Sequence, residues 1–457
     1  MTDNKLACFK AYDIRGKVPE ELNEEMAYDI GRVYVSEIKP QGRVAVGRDI
    51  RESSLAISKA VISGINDAGV DTLDIGLCGT EVVYFASSLD GMSGGMMVTA
   101  SHNPKGYNGI KMVRKGARPI SADTGLMEIE KRVRTGDVPE KSSVTGTSTE
   151  RNIMNEYVNR ILSFVNRDVL KPLKVLANPG NGCAGPALNA LAAFLPFEIM
   201  LINSDPDGTF PNGVPNPLLV ENRSVTAEAV RKLGADIGVA WDGDFDRCFL
   251  FDENGDFIEG YYLVGFLAKQ ILDKNHGAKI VHDPRLTWNT IEIVNAAGGV
   301  PVISKSGHSF IKEKMRDTGA IYGGEMSAHH YFRDFSYADS GMIPWLFVAQ
   351  ELSVTGLKLS DLVAERIERY PCSGEINRTV SNQDSVIARL KDAYSREATS
   401  LSELDGISME FGRTWRFNIR KSNTEPVVRL NVESAGDKDL LKCKTNEILE
   451  FINETKS

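Results

Sequence analysis

The sequence predicts an α/β protein made of three related strand–helix units, with a smaller α+β unit at the end. Two observations carry this expectation. One is a degenerate internal repeat. The other is a change of pattern after residue 369, where alternating apolar and polar residues replace the strand–helix rhythm.

Each repeat opens on an apolar strand that ends in a polar loop and runs into a helix-like stretch. These are RVAVGRDIRESS (43–54), LKVLANPGNGCAG (173–185) and AKIVHDPRLTWNT (278–290). A second strand follows in GVDTLDIG (69–76), PFEIMLIN (196–203) and GVPVISKSG (299–307). A third then ends in the most polar loop of its unit: GGMMVTASHNP (94–104), ADIGVAWDGDFDR (235–247) and GAIYGGEMSAHH (319–330). Strands alternating with helices imply βαβ units and mostly parallel sheets. Such sheets collect ligands at the carboxyl ends of their strands, where all three polar loops fall.

Beyond 369, SGEINRTV, WRFNIR (415–420) and VVRLNVES (427–434) read as strands of a half-exposed sheet. The run 437–450 reads as a closing helix with Leu440, Leu441, Ile448 and Leu449 as its apolar positions. The Ser/Thr-rich segment 140–150 reads as a loop or linker. Domains are therefore expected at 1–150, 151–254, 255–368 and 369–457.

The bulk properties fit this plan. The chain has 457 residues, which favours about three domains and accommodates four small ones. Hydrophobic residues make up 42% and charged residues 25%, as in an ordinary globular protein. The net charge of -9 argues against nucleic acid as a partner, since an acidic chain gains nothing from counterion release. An anionic ligand must then be held by local Arg, Lys and backbone N–H groups. The six cysteines form no CxxC pair, which suits free thiols in a reducing compartment. The opening MTDNKLACFK has no signal-like apolar run, and no stretch approaches the ~20 apolar residues of a membrane span. The expectation is a cytoplasmic protein with no membrane contact.

Four loops carry candidate chemistry. In TASHNP (99–104) a strand ends in small hydroxyl residues and Pro104 stops it. Ser101 on such a turn is presented outward, as a nucleophile or phosphate carrier must be. A serine there equally suits a cap for the next turn. In DGDFDR (242–247) Asp242, Asp244 and Asp246 alternate directly after a strand. Carboxylates this close repel one another unless a cation sits among them, and hard oxygen ligands suit Mg²⁺ or Ca²⁺. A calcium-binding helix–loop–helix is disfavoured, because Arg247 stands where that loop needs glycine. A solvated acidic turn is the other reading. In GEMSAHH, Glu325, Ser327 and His329 alternate, so an extended loop turns them to one side, a set suited to sugar hydroxyls. In RKSNTEP (420–426), Arg420, Ser422, Asn423 and Thr424 offer donors for a phosphate, or form a plain surface turn. Among single residues, His308 is either a proton shuttle or a helix-start histidine. Tyr12 and Arg15, in KAYDIRG, fit either a phosphate site or a structural turn.

Taken together these loops resemble the α-D-phosphohexomutase superfamily, and within it the phosphomannomutases. The order TASHNP, DGDFDR, GEMSAHH, SNTEP is the family's, and with FKAYDIRG the resemblance covers essentially the whole chain. It implies four domains around a central cleft: three related α/β domains with mixed sheets and a smaller C-terminal α+β domain. It implies a phosphoserine at Ser101. It implies Mg²⁺ held by Asp242, Asp244, Asp246 and a phosphoserine oxygen, with Arg247 beside it. Glu325, Ser327 and His329 would grip the sugar. Arg420, Ser422, Asn423 and Thr424 would hold the phosphate that is not reacting. Tyr12, Arg15, His102 and His308 match active-site positions. The implied substrate is a small hexose phosphate that passes through a hexose 1,6-bisphosphate, handled by a monomer or homodimer. GEMS resembles the loop of mutases acting on mannose and glucose phosphates. Other classes that this residue set admits are a phosphomonoesterase and a sugar-phosphate sensor without turnover. One departure stands out. Arg285 occupies a place where some relatives have Lys, and Arg, nearly always protonated, makes a poor general base.

Overall fold

A computed structural model describes residues 6–422 and 427–454. The chain divides into two compact units, Met1–Phe257 with His329–Gly356, and Ile258–Ala328 with Leu357–Ser457.

In the first unit the strand Arg43–Arg48 runs parallel to Thr72–Leu77 on one side and to Met92–Val98 on the other. Tyr107–Arg114 adds antiparallel to Met92–Val98, and Ile14–Lys17 adds beyond it. Val44 and Val46 point into a core completed by Ile57, Val61 and Ile65 of helix Ser54–Asp67 and by Ile30, Val33 and Tyr34 of helix Glu24–Ile38. The two helices cross at Gly31 and Gly64. A Cβ on Gly64 would sit 2.1 Å from the Tyr28 carbonyl, and one on Gly31 would sit 2.6 Å from that of Val61. Only glycine permits this approach. The segment 140–150, expected as a linker, is in part an edge strand: Ser148–Glu150 runs parallel to Thr72–Leu77, fixed where Asp71 accepts from the Thr147 N–H at 2.6 Å.

The same plan recurs. Lys174–Asn178 lies parallel between Glu198–Leu201 and Ile237–Trp241, and Cys248–Phe251 returns antiparallel to Ile237–Trp241. In the second unit Lys279–His282 lies parallel between Val300–Ile303 and Tyr322–Gly324. In all three cores the first strand of the repeat is central, flanked by the second and the third. The first-strand loops also share a turn. Asp49 accepts from the Arg51 N–H at 3.0 Å, Asn178 from the Gly180 N–H at 3.0 Å, and Asp283 from the Arg285 N–H at 2.9 Å. A short Asp or Asn side chain that bonds the backbone two residues on is how these residues start turns.

The last part of the chain is an antiparallel sheet in the order Ile376–Thr379, Val427–Ser434, Trp415–Lys421, Ile407–Phe411, Ser400–Ser402. Helices Gln383–Tyr394 and Lys438–Glu454 contribute Leu390, Tyr394, Ile448 and Ile452 to its core, with Phe417, Ile419, Leu430 and Val432 from the strands. Trp415–Lys421 is not half-exposed as its alternation suggests. Arg416 and Asn418 are buried too, because Glu433 pairs with the first and Ser408 accepts from the second. All six cysteines are free, and four are buried. Among the described residues, no helix is long and apolar enough to cross a membrane.

Candidate active site

The first-unit centre is assembled from the ends of four strands. Ser101 follows the strand Met92–Val98 in a left-handed turn (φ 49°) and is 2% exposed. Asp49 organises this turn: Thr99 Oγ1 donates to Asp49 Oδ2 at 2.7 Å, and the Ser101 N–H donates to Thr99 Oγ1 at 2.9 Å. Arg51 ties down the rest, donating to the carbonyls of Ser101, Asn103, Pro104 and Tyr107. The serine is therefore held by its backbone, and its hydroxyl is left for other work.

That hydroxyl donates to Asp242 Oδ2 at 2.8 Å. Asp242 closes the strand Ile237–Trp241, and the loop then turns back into Cys248–Phe251. Phe245, buried at φ 43°, plugs the turn against Gly79, where a Cβ would lie 2.2 Å from its ring. The loop thus turns its aspartates together: one oxygen from each of Asp242, Asp244 and Asp246 falls within 4.8 Å of the others. All three are buried. Arg247 Nε and NH2 reach Asp242 Oδ2 at 2.8 and 2.6 Å. Lys111 Nζ stands 2.6 Å from both Asp244 Oδ2 and Asp246 Oδ2, and Thr80 donates to Asp244. Asp244 Oδ1 and Asp246 Oδ1 are buried without a hydrogen bond. Two hard oxygen atoms left over in a tight acidic cluster fit a divalent cation of the Mg²⁺ kind.

Burial pushes Asp242 up to about 6 even with Arg247 beside it. Burial acts the same way on Asp246, but Lys111 and His329 outweigh it and hold that carboxyl well below its usual range. Lys111 is raised, because Asp244 and Asp246 together exceed the effect of its burial. His102 Nδ1 lies 3.2 Å from Ser101 Oγ and contacts Arg247. Burial, then Arg247 and Arg15, keep this imidazole neutral. Arg15 donates to Asp13 and to Asn103, each at 2.8 Å. Tyr12 is half-buried in the turn before the strand Ile14–Lys17.

GEMSAHH is a turn rather than an extended loop. Ala328 has φ 70° and its N–H bonds back to the Glu325 carbonyl at 3.0 Å. The alternation of Glu325, Ser327 and His329 is broken there, and the three go to different partners. His329 Nε2 lies 3.4 Å from Asp246 Oδ1, within a second cluster of Asp246, His329 and Asp339. Glu325 accepts from the Gly307 N–H at 2.8 Å, just ahead of His308, the first residue of helix His308–Thr318. Ser327 Oγ accepts from Arg285 NH2 at 3.2 Å.

Arg285 is the hub of the second unit. It reaches Asp283 Oδ2 at 2.7 Å, Glu375 Oε2 at 3.3 Å and Glu325 Oε1 at 3.5 Å. Burial works against its charge, but Asp283 and Glu375 outweigh it, so its pKa is raised further. Asp283 also accepts from the Met326 N–H at 2.8 Å. Asp283 and Arg285 thus hold the third-strand loop of their repeat as Asp49 and Arg51 hold the Ser101 loop. Arg420 NH2 donates to Glu375 Oε2 at 3.0 Å, and Ser422 Oγ accepts from Arg429 NH2 at 3.3 Å. Asn423 and Thr424 lie outside the described residues.

The structure adds residues that the loops alone did not offer: Asp49, Arg51, Thr80, Lys111, Glu375 and Arg429. Lys111 had a signal, a lysine inside the apolar run NGIKMV. Asp49 and Arg51 had another, the D-x-R shared by GRDIRESS and HDPRLTW.

Three layered α/β cores, an antiparallel C-terminal domain and a serine set against three carboxylates define a phosphohexomutase-type chain. Four family descriptions match it in order: phosphoglucomutase/phosphomannomutase α/β/α domain I over 7–140, domain II over 155–255, domain III over 259–370 and the C-terminal domain over 375–450. The chain belongs to this phosphoglucomutase/phosphomannomutase family, within the α-D-phosphohexomutase superfamily. It is 54% identical to a phosphomannomutase of Salmonella montevideo over 98% of this chain and 100% of that protein. It is 55% identical to a Xanthomonas campestris protein named phosphohexose mutases, over 97% and 98% of the two chains. A phosphoglucomutase/phosphomannomutase family protein from Burkholderia thailandensis has the same fold, with a TM-score of 0.87, 32% identity and 98% of both chains covered.

Proposed function

We propose that the chain is a phosphomannomutase, an isomerase that interconverts mannose 6-phosphate and mannose 1-phosphate through a phosphoserine and a hexose 1,6-bisphosphate. The observation that carries this is Ser101 Oγ at 2.8 Å from Asp242 within a buried three-carboxylate cluster. The full-length likeness to a phosphomannomutase supports the sugar.

Phosphorylated Ser101 donates to the free hydroxyl of the hexose phosphate. The Ser101 Oγ–P bond breaks as the sugar O–P bond forms, and the hydroxyl proton passes to a base. His308 is the candidate for that base. Arg285, held protonated by Asp283 and Glu375, acts through its charge. The bisphosphate reorients and returns its other phosphoryl group to Ser101, so Ser101 is the carrier in both half-reactions. Asp242, Asp244 and Asp246, together with phosphorylated Ser101, would hold a Mg²⁺ ion, which would supply charge stabilisation to the transferring group. Arg247 and His102 bear on the Ser101 hydroxyl, Arg15 reaches Asn103 of the same turn, and Tyr12 is assigned to substrate binding with it. Glu325, Ser327 and His329 orient the sugar. Arg420, Ser422, Asn423 and Thr424 hold the other phosphate. Domains at 1–150, 151–254, 255–368 and 369–457, a cytoplasmic location and a monomer or homodimer complete this reading.

A dual phosphomannomutase/phosphoglucomutase is the second reading, supported by the relative named phosphohexose mutases. One assay separates these. Purified protein with Mg²⁺ and a trace of hexose 1,6-bisphosphate is given mannose, glucose and glucosamine 1-phosphates side by side. The mannose substrate should have the highest kcat/KM, with comparable glucose turnover indicating the dual enzyme. No reaction on any of the three sinks the mutase reading. Release of free phosphate at the isomerisation rate would make the protein a phosphomonoesterase.

A further inference from the structure

Three arginines from separate segments of the second unit converge on one carboxylate. Glu375, just ahead of the strand Ile376–Thr379, has a side chain only 7% exposed. Its Oε2 accepts from Arg285 NH1 at 3.3 Å and from Arg420 NH2 at 3.0 Å. Its Oε1 accepts from Arg429 NH1 at 3.3 Å. Burial pushes this carboxyl up, but Arg420, Arg285 and Arg429 outweigh it and hold it down at about 2. It is therefore an anion throughout the physiological range.

Arg285, Arg420 and Arg429 face Asp283, Glu325 and Glu375. A phosphate monoester that reaches Arg420 and Ser422 meets arginines that already face a carboxylate. Arg420 also keeps a donor in hand: its Nε is buried with no hydrogen bond. A guanidinium offers five N–H groups in a planar fork, so one arginine can exchange a carboxylate for a phosphate without moving far.

The geometry points to Glu375 as an internal counter-anion that competes with the substrate's phosphate for Arg420 and Arg429, and so keeps that phosphate exchangeable. This rests on the mutase reading above. In that reaction a bisphosphate must let go of its phosphate site and return the other way round in every cycle. A site that grips every bound form equally lowers KM without raising kcat, and here it traps the intermediate. Glu375 supplies the opposing charge that prevents this.

The test is Glu375→Gln, which keeps shape and removes the charge. KM for mannose 1-phosphate should fall about tenfold, the size expected for one charge removed in a partly screened site. The kcat should fall with it, and inorganic phosphate, titrated by calorimetry, should bind about tenfold more tightly by the same reasoning. Glu375→Asp draws the carboxylate back without removing it and should fall between the two. It also carries the test if the Gln variant does not fold. A carboxylate that merely props up the arginines predicts the opposite sign: KM rises and phosphate binding weakens. A KM that rises or stays level in the folded variants overturns the proposal. If the parent protein isomerises no hexose phosphate, the mutase reading fails, and the phosphate titration still decides the role of Glu375.

Discussion

Lys111 and Asp244 form a buried ion pair, 2.6 Å from ammonium to carboxylate, with side chains 6% and 0% exposed. The same ammonium serves Asp246 at 2.6 Å. One lysine thus offsets two carboxylates and leaves Asp244 Oδ1 without a hydrogen bond, while Asp246 Oδ1 faces His329 Nε2 at 3.4 Å. Breaking a buried pair by deleting one partner typically costs about 3–5 kcal/mol, since the other charge stays buried alone. Lys111→Met should lose stability on that scale in denaturant unfolding without metal. Millimolar Mg²⁺ should return part of it, because a ligand that binds only the folded state stabilises that state. A variant as stable as its parent in chelator would show that Lys111 is not what offsets the cluster.

Ser101→Ala separates chemistry from folding. The turn is held by Asp49, Thr99 and Arg51 through backbone atoms, which alanine keeps. Alanine at φ 49° costs about 1–2 kcal/mol at most. Turnover should fall by at least about 10³-fold, as when a covalent carrier is removed. His308→Ala should cost roughly 10²-fold, the lower end for general acid–base help. Intact mass should show no phosphate on the Ser101→Ala protein. Near-normal turnover of that variant would end the phosphoserine mechanism.

The sequence made three βαβ repeats and their polar loop ends legible because backbone pattern is local. Strand periodicity, a terminal Asp or Asn and a glycine are all read within ten residues or so. It also brought Ser101, Asp242, Asp244 and Asp246 forward as residues that need one another. It did not make the supporting charges legible. Lys111 is 133 and 135 positions from its two carboxylates, and Arg416 is 17 from Glu433 but 131 from the Arg285 carbonyl that it holds. Such partners are defined by packing, and no spacing encodes them. The GEMSAHH loop shows the converse error. Alternation predicts one face only in an extended chain, and the left-handed Ala328 sends His329 to Asp246 instead.

Arg416 and Glu433 hold the backbone of the loop that bears Arg285. Arg416 donates to the Arg285 carbonyl at 2.9 Å, to that of Pro284 at 3.0 Å and to Glu433 at 2.8 Å. Glu433 in turn accepts from the Thr287 N–H at 2.8 Å and from Tyr261. The loop that bears Arg285 is therefore clamped on both sides. Arg416→Met should cost about 3–5 kcal/mol of stability by leaving Glu433 buried and unpaired. Its kcat should drop by up to about 10²-fold, as a misplaced group 1 Å out of line can do. Arg416→Lys should rescue little, since a point charge cannot bridge two carbonyls and a carboxylate. Full activity in Arg416→Lys would mean that the clamp is not needed.

Glu81 gives a pH test away from the chemistry. It is fully buried and accepts from Tyr157, from Ser340 Oγ at 3.0 Å and from the Met342 N–H at 3.3 Å. Burial lifts its carboxyl to about 8, with these hydrogen bonds only partly opposing the rise. The folded state thus prefers the protonated form. The contribution of Glu81 is complete below its ordinary value of 4.5 and is lost as the pH rises through about 8. The full swing is at most about 5 kcal/mol at ~1.4 kcal/mol per unit. Glu81→Gln resembles the protonated carboxyl and does not titrate. It should be no more stable than its parent at pH ~5 and should gain on it steadily towards pH ~9. Melting temperatures of both proteins across that range check this. Two parallel curves would show that the donors around Glu81, the Gly341 N–H among them, already hold it ionised when folded.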